Sequence, residues 1–363
     1  MSFQYFRYSN ELDREFSKTV ISRVNTYFAE NKIPKHGDHR MILKTLLMLT
    51  GFFGPYVLML FQPFSYLGGY YALWALMGVA MAGIGMGIMH DSIPGSYAQS
   101  PFINRILGLT LNLMGGNAYV WHMQHNVLHH TYPNIDDTDD DIDIPFMLRM
   151  SPHQPRYWFH RFQHLYVWVL YAFATVFWVT SKDFVMLGKY KERNMLKEKH
   201  EYLKRFLNIL LWKVVYFGYL LVIPIVLLDF PWYLTLTMFL VMHIVGGVLL
   251  SIIFQPAHVF TGTEFIQQAD NQIDRSWHKY QLETTTNFKL NGFMTWLSGG
   301  LNYQIEHHLF PNICHVHYPR ISRIVKKTVR EFGLPYHLQR NLWAALYLHY
   351  DMLRELGQEN NSY

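Results

Sequence analysis

Apolar residues in this chain come in long blocks rather than at the spacing of an amphipathic helix or a half-buried strand. Thr45–Phe61 and Gly68–Met89 form a first pair, separated by the uncharged turn 62–67. Leu207–Leu228 and Tyr233–Phe254 form a second, joined by Asp229-Phe230-Pro231-Trp232. Each block has the length of a bilayer-spanning helix, about 17–25 residues, so the pattern predicts two membrane hairpins. Lys and Arg crowd the flanks, at Arg40 and Lys44 before the first pair and at Lys197, Lys199, Lys204 and Arg205 before the second. The turns inside the hairpins carry no Lys or Arg. An excess of Lys and Arg marks the cytoplasmic side, which places both termini and the middle segment in the cytoplasm. A fifth block, Leu165–Ser181, is also long enough to span. A crossing there would put the histidines near 125 and those near 307 on opposite faces. The expectation is therefore that this block lies in the interface or is buried without crossing.

Composition agrees with burial in lipid. Of 363 residues, 50% are apolar and 16% charged, below the usual quarter for a soluble domain. The net charge of +5 comes without a Lys/Arg cluster interleaved with stacking aromatics. That argues against nucleic acid and suits an anionic membrane surface. The single cysteine, Cys314, excludes an internal disulfide framework and a thiolate metal cluster. The N-terminal stretch has no charged segment followed by an apolar one, so no cleaved signal peptide is expected. The run from Asp136 to Asp143 reads as a solvated acidic loop, or alternatively as a docking surface for a basic partner.

The chemistry lies in the 20 histidines. His90-Asp91 closes the second apolar block. Gln124-His125-Asn126-Val127-Leu128-His129-His130 follows, then Gln255-Pro256-Ala257-His258 after the fourth block, then Gln304-Ile305-Glu306-His307-His308. On an α-helix, positions i and i+4 share a face. His125 and His129 can then point at one centre and His130, about 100° further round, at a second. His307 and His308 can serve two metals, or one metal and its surroundings. Imidazole suits iron, copper, zinc and nickel, and a set without thiolates leaves iron open to dioxygen. His36, His39, His153 and His200 read as ordinary surface or core histidines. So do His122, His315 and His317, which flank the clusters. His243 lies mid-block, 15 residues before His258, or about 22 Å along a helix. It cannot share a metal with His258, and a pathway or a packing role stays open.

The motifs His90-Asp91 with Gly95-Ser96, QHNVLHHTY at 124–132, FQ-x-AH at 254–258 and NYQIEHHLFP at 302–311 resemble the membrane fatty acid desaturase family. They are similar to its front-end and linoleoyl-CoA-type branch and to bacterial acyl-CoA desaturases, over residues 40–335. The resemblance implies an all-α integral membrane fold of four transmembrane helices under a helical cytoplasmic cap. It divides the chain into a cytoplasmic segment 1–40, a desaturase domain 41–335 and a helical tail 336–363, in a multi-pass protein of the bacterial inner membrane. It also implies two iron ions held by His90, His125, His129, His130, His258, His307 and His308. Gln304 would be a weak ligand or bond a metal-bound water, with Asp91, Gln255 and Asn302 orienting imidazoles. A long acyl chain, on coenzyme A, a carrier protein or a lipid, would be the substrate. A separate ferredoxin or cytochrome b5-like protein would supply electrons, since residues 1–40 are too short for a fused haem domain.

One position departs from the family. Its first box is H-D-x-x-H, and here Pro94 stands where the second histidine belongs. Proline offers no metal-binding side chain and no N–H. Three consequences are open: a water-filled metal position, replacement by His122, or an impaired site. Acyl hydroxylation and acetylene formation are alternative chemistries on the same scaffold, and a non-catalytic membrane protein with a degenerate metal site is a third reading.

Overall fold

The structure, a computed structural model, describes residues 6–9, 13–142, 146–196, 198, 200–266 and 272–358. Asp143 of the acidic run, Lys197 and Lys199 of the basic flank, and the tail Asn360–Tyr363 lie outside the described residues. Five helices are long and apolar enough to cross a membrane: α2 (His39–Leu60), α3 (Leu67–Ser92), α6 (Trp158–Glu192), α7 (Glu201–Leu227) and α8 (Trp232–Ala257). Four of them contain the blocks expected to form hairpins. α6 contains the fifth block, Leu165–Ser181.

The centre of the bundle is α3 against α8, with α2 on α3 and α6 on α8. Small residues permit the close approaches, as in membrane helix pairs generally. A Cβ on Gly247 would lie 2.7 Å from the backbone oxygens of Tyr171 and Ala172 on α6. α6 turns Val167, Tyr171 and Thr175 inward and leaves Leu165, Val169, Phe173 and Phe177 exposed. A π-helical turn interrupts it at Trp178–Lys182, a usual cause of helix bending. Both of its ends are tied to the segment 137–149. Gln163 Oε1 accepts from Arg149 N–H (2.8 Å) and its Nε2 donates to Arg149 O (2.9 Å). Arg193, just beyond the helix, bonds Asp140 Oδ2 (3.0 Å) and Asp137 O (2.9 Å).

Two buried ionisable side chains inside the bundle, His243 and Lys213, are fully bonded. His243 has Tyr216 OH at 2.7 Å from Nε2 and Thr175 Oγ1 at 3.0 Å from Nδ1. One imidazole thereby ties α6, α7 and α8, which gives His243 a packing role. Lys213 Nζ donates to Asp183 Oδ2 (2.5 Å), Gly115 O (2.5 Å) and Trp178 O (3.0 Å), so this buried charge is paired and bonded as burial requires.

Around one end of the bundle lie the shorter elements that hold the histidines. α1 (Arg14–Glu30) runs antiparallel to α10 (Tyr318–Glu331), with Arg23 bonding Thr328 and Glu331 and Phe16 meeting Phe332. Phe16, Val20 and Val24 of α1 and Ile321, Val325 and Val329 of α10 join Leu309 of α9 (Gln304–Leu309) and the following Phe310 in one buried apolar cluster. The helix α11 (Leu342–Gln358) docks on α6 through His349, which bonds Tyr171 OH (2.7 Å) and Val259 O (2.6 Å). Gly299 and Gly300 both have positive φ. A Cβ on Gly299 would strike the backbone of Met86, so glycine there lets the loop before α9 press against the end of α3.

Candidate metal centre

Four elements bring the clustered histidines together. A π-helical stretch, Ile84–Met89, carries α3 to His90. The helix α5 begins at Ala118–Trp121, capped by Asn117, and continues as a π-helix over His122–His129. His258 follows the end of α8, and α9 presents His307 and His308. The ligand atoms of His90, His125 and His307 lie within 4.8 Å of one another, as do those of His129, His258 and His308. His130 joins His307 and His308 in a third such set, so it sits between the first two. All seven rings are buried.

This arrangement differs from the α-helical expectation, which paired His125 with His129 and set His130 apart. The π-helical bond from His130 N–H to His125 O (2.9 Å) widens the turn. His125 then faces His90 and His307, while His129 faces His258 and His308. His307 and His308 divide between the two groups.

Five of the seven rings have one nitrogen held by a carboxylate, hydroxyl or amide. Asp139 Oδ1 and Oδ2 lie 3.0 Å from His129 Nδ1, and Asp141 Oδ2 lies 3.4 Å from His125 Nδ1. Tyr318 OH is 3.1 Å from His307 Nδ1, and Gln281 Oε1 is 2.7 Å from His308 Nδ1. Gln304 places its amide nitrogen 2.8 Å from His258 Nε2. His90 Nε2, His129 Nε2, His130 Nδ1, His258 Nδ1, His307 Nε2 and His308 Nε2 are buried without a protein hydrogen-bond partner. An unsatisfied buried polar group costs about 1–3 kcal/mol. Six such atoms would cost roughly 6–18 kcal/mol, which matches the whole stability of an ordinary domain, about 5–15 kcal/mol. A metal bound by these nitrogens would remove that cost. Burial, reinforced by neighbouring histidines, holds His125, His130, His258, His307 and His308 well below the ordinary imidazole pKa. They are therefore neutral, the form that ligates metal. Burial also opposes charge on His129, but the Asp139 and Asp141 carboxylates outweigh it and raise its pKa.

Residues 67–340 match the fatty acid desaturase family. The chain belongs to that family. It is 34% identical over 354 residues to the sn-1 linoleoyl-lipid 6-desaturase of Synechocystis sp., covering 95% of this chain and 96% of the relative. It is 36% identical over 360 residues to the acyl-lipid (8-3)-desaturase of Physcomitrium patens, covering 96% and 73%. A second sn-1 linoleoyl-lipid 6-desaturase, from Arthrospira platensis, is 31% identical over 349 residues, covering 94% and 92%. The desaturase is a multi-pass membrane protein by these relatives and its five apolar helices.

The acidic run of the desaturase departs from both sequence readings. Asp136, Asp139 and Asp140 are buried, so this is neither a solvated loop nor a docking surface. Asp139 and Asp141 hold imidazoles, and Asp140 pairs with Arg193 (3.0 Å) and Lys189 (3.3 Å). Gln281 and Tyr318 carry no sequence signal and were not foreseen. Among the expected orienting residues, Gln304 touches His258. Asp91 instead accepts from His315 Nδ1 (2.7 Å) and Cys314 Sγ (3.0 Å), and Lys44 Nζ stands 3.3 Å from His315 Nε2. Asn302 donates to Phe288 O (3.1 Å), which fixes backbone rather than an imidazole. Gln255 is half-buried and makes no side-chain hydrogen bond among the described residues. His122 is exposed and outside every metal-competent set. With Pro94 it lines a cleft of about 690 Å³ between α7 and the short helix α4 (Pro101–Gly108).

Proposed function

We propose that this desaturase introduces a double bond into a long fatty acyl chain at two irons, using O2 and electrons from a separate carrier protein. The converging bare imidazole nitrogens carry this reading. They form two nitrogen-rich sets bridged by His130, without thiolate, a donor set suited to iron. Reduced iron open to O2 supplies the oxidising power needed to remove hydrogens from unactivated methylenes. The reaction balances as one –CH2–CH2– unit, one O2, two electrons and two protons giving one –CH=CH– unit and two waters. His90, His125 and His307 would hold one ion, and His129, His258 and His308 the other, with His130 between them. Asp139, Asp141, Tyr318, Gln281 and Gln304 would fix the rings, as outer partners do in metal sites.

The relatives' names favour a lipid-bound acyl group as substrate. The cleft supports the same choice. Its floor includes Pro94, four residues past His90, and His122, three before His125. The helix α4, which lines the cleft through Pro101, Asn104, Arg105 and Gly108, also exposes Phe102, Ile103 and Ile106, a face suited to the lipid interface. A lipid that stays in the bilayer can offer its chain there sideways.

The same reading includes four crossings, with the termini and the histidines cytoplasmic. Three apolar helices, α6, α7 and α8, separate His130 from His258. Since those residues share one site, an even number of crossings joins them. α6 is the helix that stays on one side: its ends are both bonded to segment 137–149, and its exposed apolar stripe suits an interfacial helix.

The test is expression in a host with a profiled lipid composition, with products resolved by mass spectrometry. Loss of two hydrogens at one position of a chain is expected. Gain of one oxygen would indicate a hydroxylase, and an unchanged profile in a protein lacking iron would sink the enzymatic reading.

A further inference from the structure

We propose that the exposed face of α10 is the docking surface for a small acidic one-electron carrier protein. The proposal rests on the function above, because only a reaction with an external electron supply needs such a partner. α10 carries five cations, Arg320, Arg323, Lys326, Lys327 and Arg330, against one carboxylate, Glu331. At 100° per residue, Arg320, Arg323, Lys327 and Arg330 fall within about 80° of one another, and all four are exposed. Glu331 is already engaged by Arg23 at 2.5 Å and lies 3.9 Å from Lys327. Arg323 and Arg330 have no ion pair among the described residues. This is a predominantly cationic stripe, the kind of surface that steers an oppositely charged partner and sets its on-rate.

An anionic membrane is the other surface that such a stripe might meet. A helix that lies on lipid keeps an apolar face to insert, and α10 has none to spare. Ile321, Val325 and Val329 are buried against α1 and α9. The contrast with α4 is direct, where Phe102 is 69% exposed and Ile106 49%. A protein partner is the reading that fits a helix whose outer face is predominantly cationic and carries no spare apolar stripe.

The position suits electron delivery. Tyr318 opens α10 and is buried, and its hydroxyl is 3.1 Å from His307 Nδ1. Arg320 stands on the surface two residues later. The route from the docking face to the proposed metal site is therefore one tyrosine and one imidazole long. Small, transient interfaces are usual for redox partners, so a stripe of three helical turns is an adequate footprint.

The experiment compares the iron-loaded protein in nanodiscs with a triple variant, Arg323→Glu/Lys327→Glu/Arg330→Glu. A reversal of equal type elsewhere, Lys191→Glu/Lys204→Glu, serves as control. The probe is a plant-type [2Fe–2S] ferredoxin with its reductase. Binding is read by titration, independently of turnover. The triple variant should weaken ferredoxin binding and raise the ferredoxin KM at least tenfold at low ionic strength, and it should flatten the salt dependence that wild type shows. Turnover driven by dithionite and a viologen should be unchanged, as should the ferredoxin KM of the control. Unchanged ferredoxin binding in the triple variant would overturn the proposal. So would an equal loss in the control, a matching loss with viologen, or a KM that follows the anionic lipid content of the nanodisc instead of the ferredoxin's charge. Absence of unsaturated product from viologen-reduced wild type would count against the desaturase function instead, and the binding titration would still decide the docking face.

Discussion

The metal-centre histidines and the two bundle histidines, His243 and His349, are equally buried but differently bonded. His243 spends both nitrogens on Tyr216 and Thr175, and His349 spends both on Tyr171 and Val259 O. In the cluster, six rings keep a nitrogen without a protein partner, and most of these are fixed on the other side by a carboxylate, hydroxyl or amide. Burial alone therefore does not separate a ligand from a structural histidine. Several rings converging with bare buried nitrogens do, because unpaired buried nitrogens are costly unless something else pairs with them.

Substitutions in the two regions should break in different ways. The largest effect is expected for His307→Ala, which removes a ring from two metal-competent sets. Desaturation should fall at least about 100-fold, beyond the roughly 10–100-fold of an outer-shell loss, and bound iron should drop below the wild-type value by metal analysis. Asp139→Ala should cost about 10–100-fold in iron affinity or activity, since His129 then loses its partner while keeping its ring. Tyr318→Phe removes one neutral hydrogen bond, worth about 0.5–1.5 kcal/mol. Activity with a chemical reductant should fall only about 2–12-fold, with iron content kept. His243→Phe should do the reverse of all three: iron and product stay, while stability falls by about 1–3 kcal/mol in detergent unfolding, from the stranded Tyr216 and Thr175. Smallest of all, Pro94→His should leave iron per chain unchanged, because position 94 faces the cleft beside His122. A gain of iron there would show that the first group lacks a ligand and that the geometry places residue 94 wrongly.

Much of this was legible in the sequence for physical reasons. The four apolar blocks need no tertiary context to be read as membrane helices, and two of the four histidine groups, at His90 and His258, sit at or just past their ends. Parity flagged α6 as exceptional before its ends were seen bonded to one segment. What was hidden depends on contacts between distant residues. The acidic run looked solvated because composition carries no burial, although Ile135 just before it and Ile142 within it, both buried, hint at a packed loop. Gln281 and Tyr318 reach their histidines only through the folding of Trp277–Glu283 and α10 around α9. The division of His125 from His129 follows from a π-helical turn that spacing rules for α-helices do not anticipate.

Iron stoichiometry of the purified protein, measured together with X-ray absorption at the iron edge, tests the central claim most directly. Two irons per chain with nitrogen-dominated ligation and no sulfur are predicted. Less than one iron per chain after anaerobic reconstitution, or a coordination shell without several imidazoles, would contradict it.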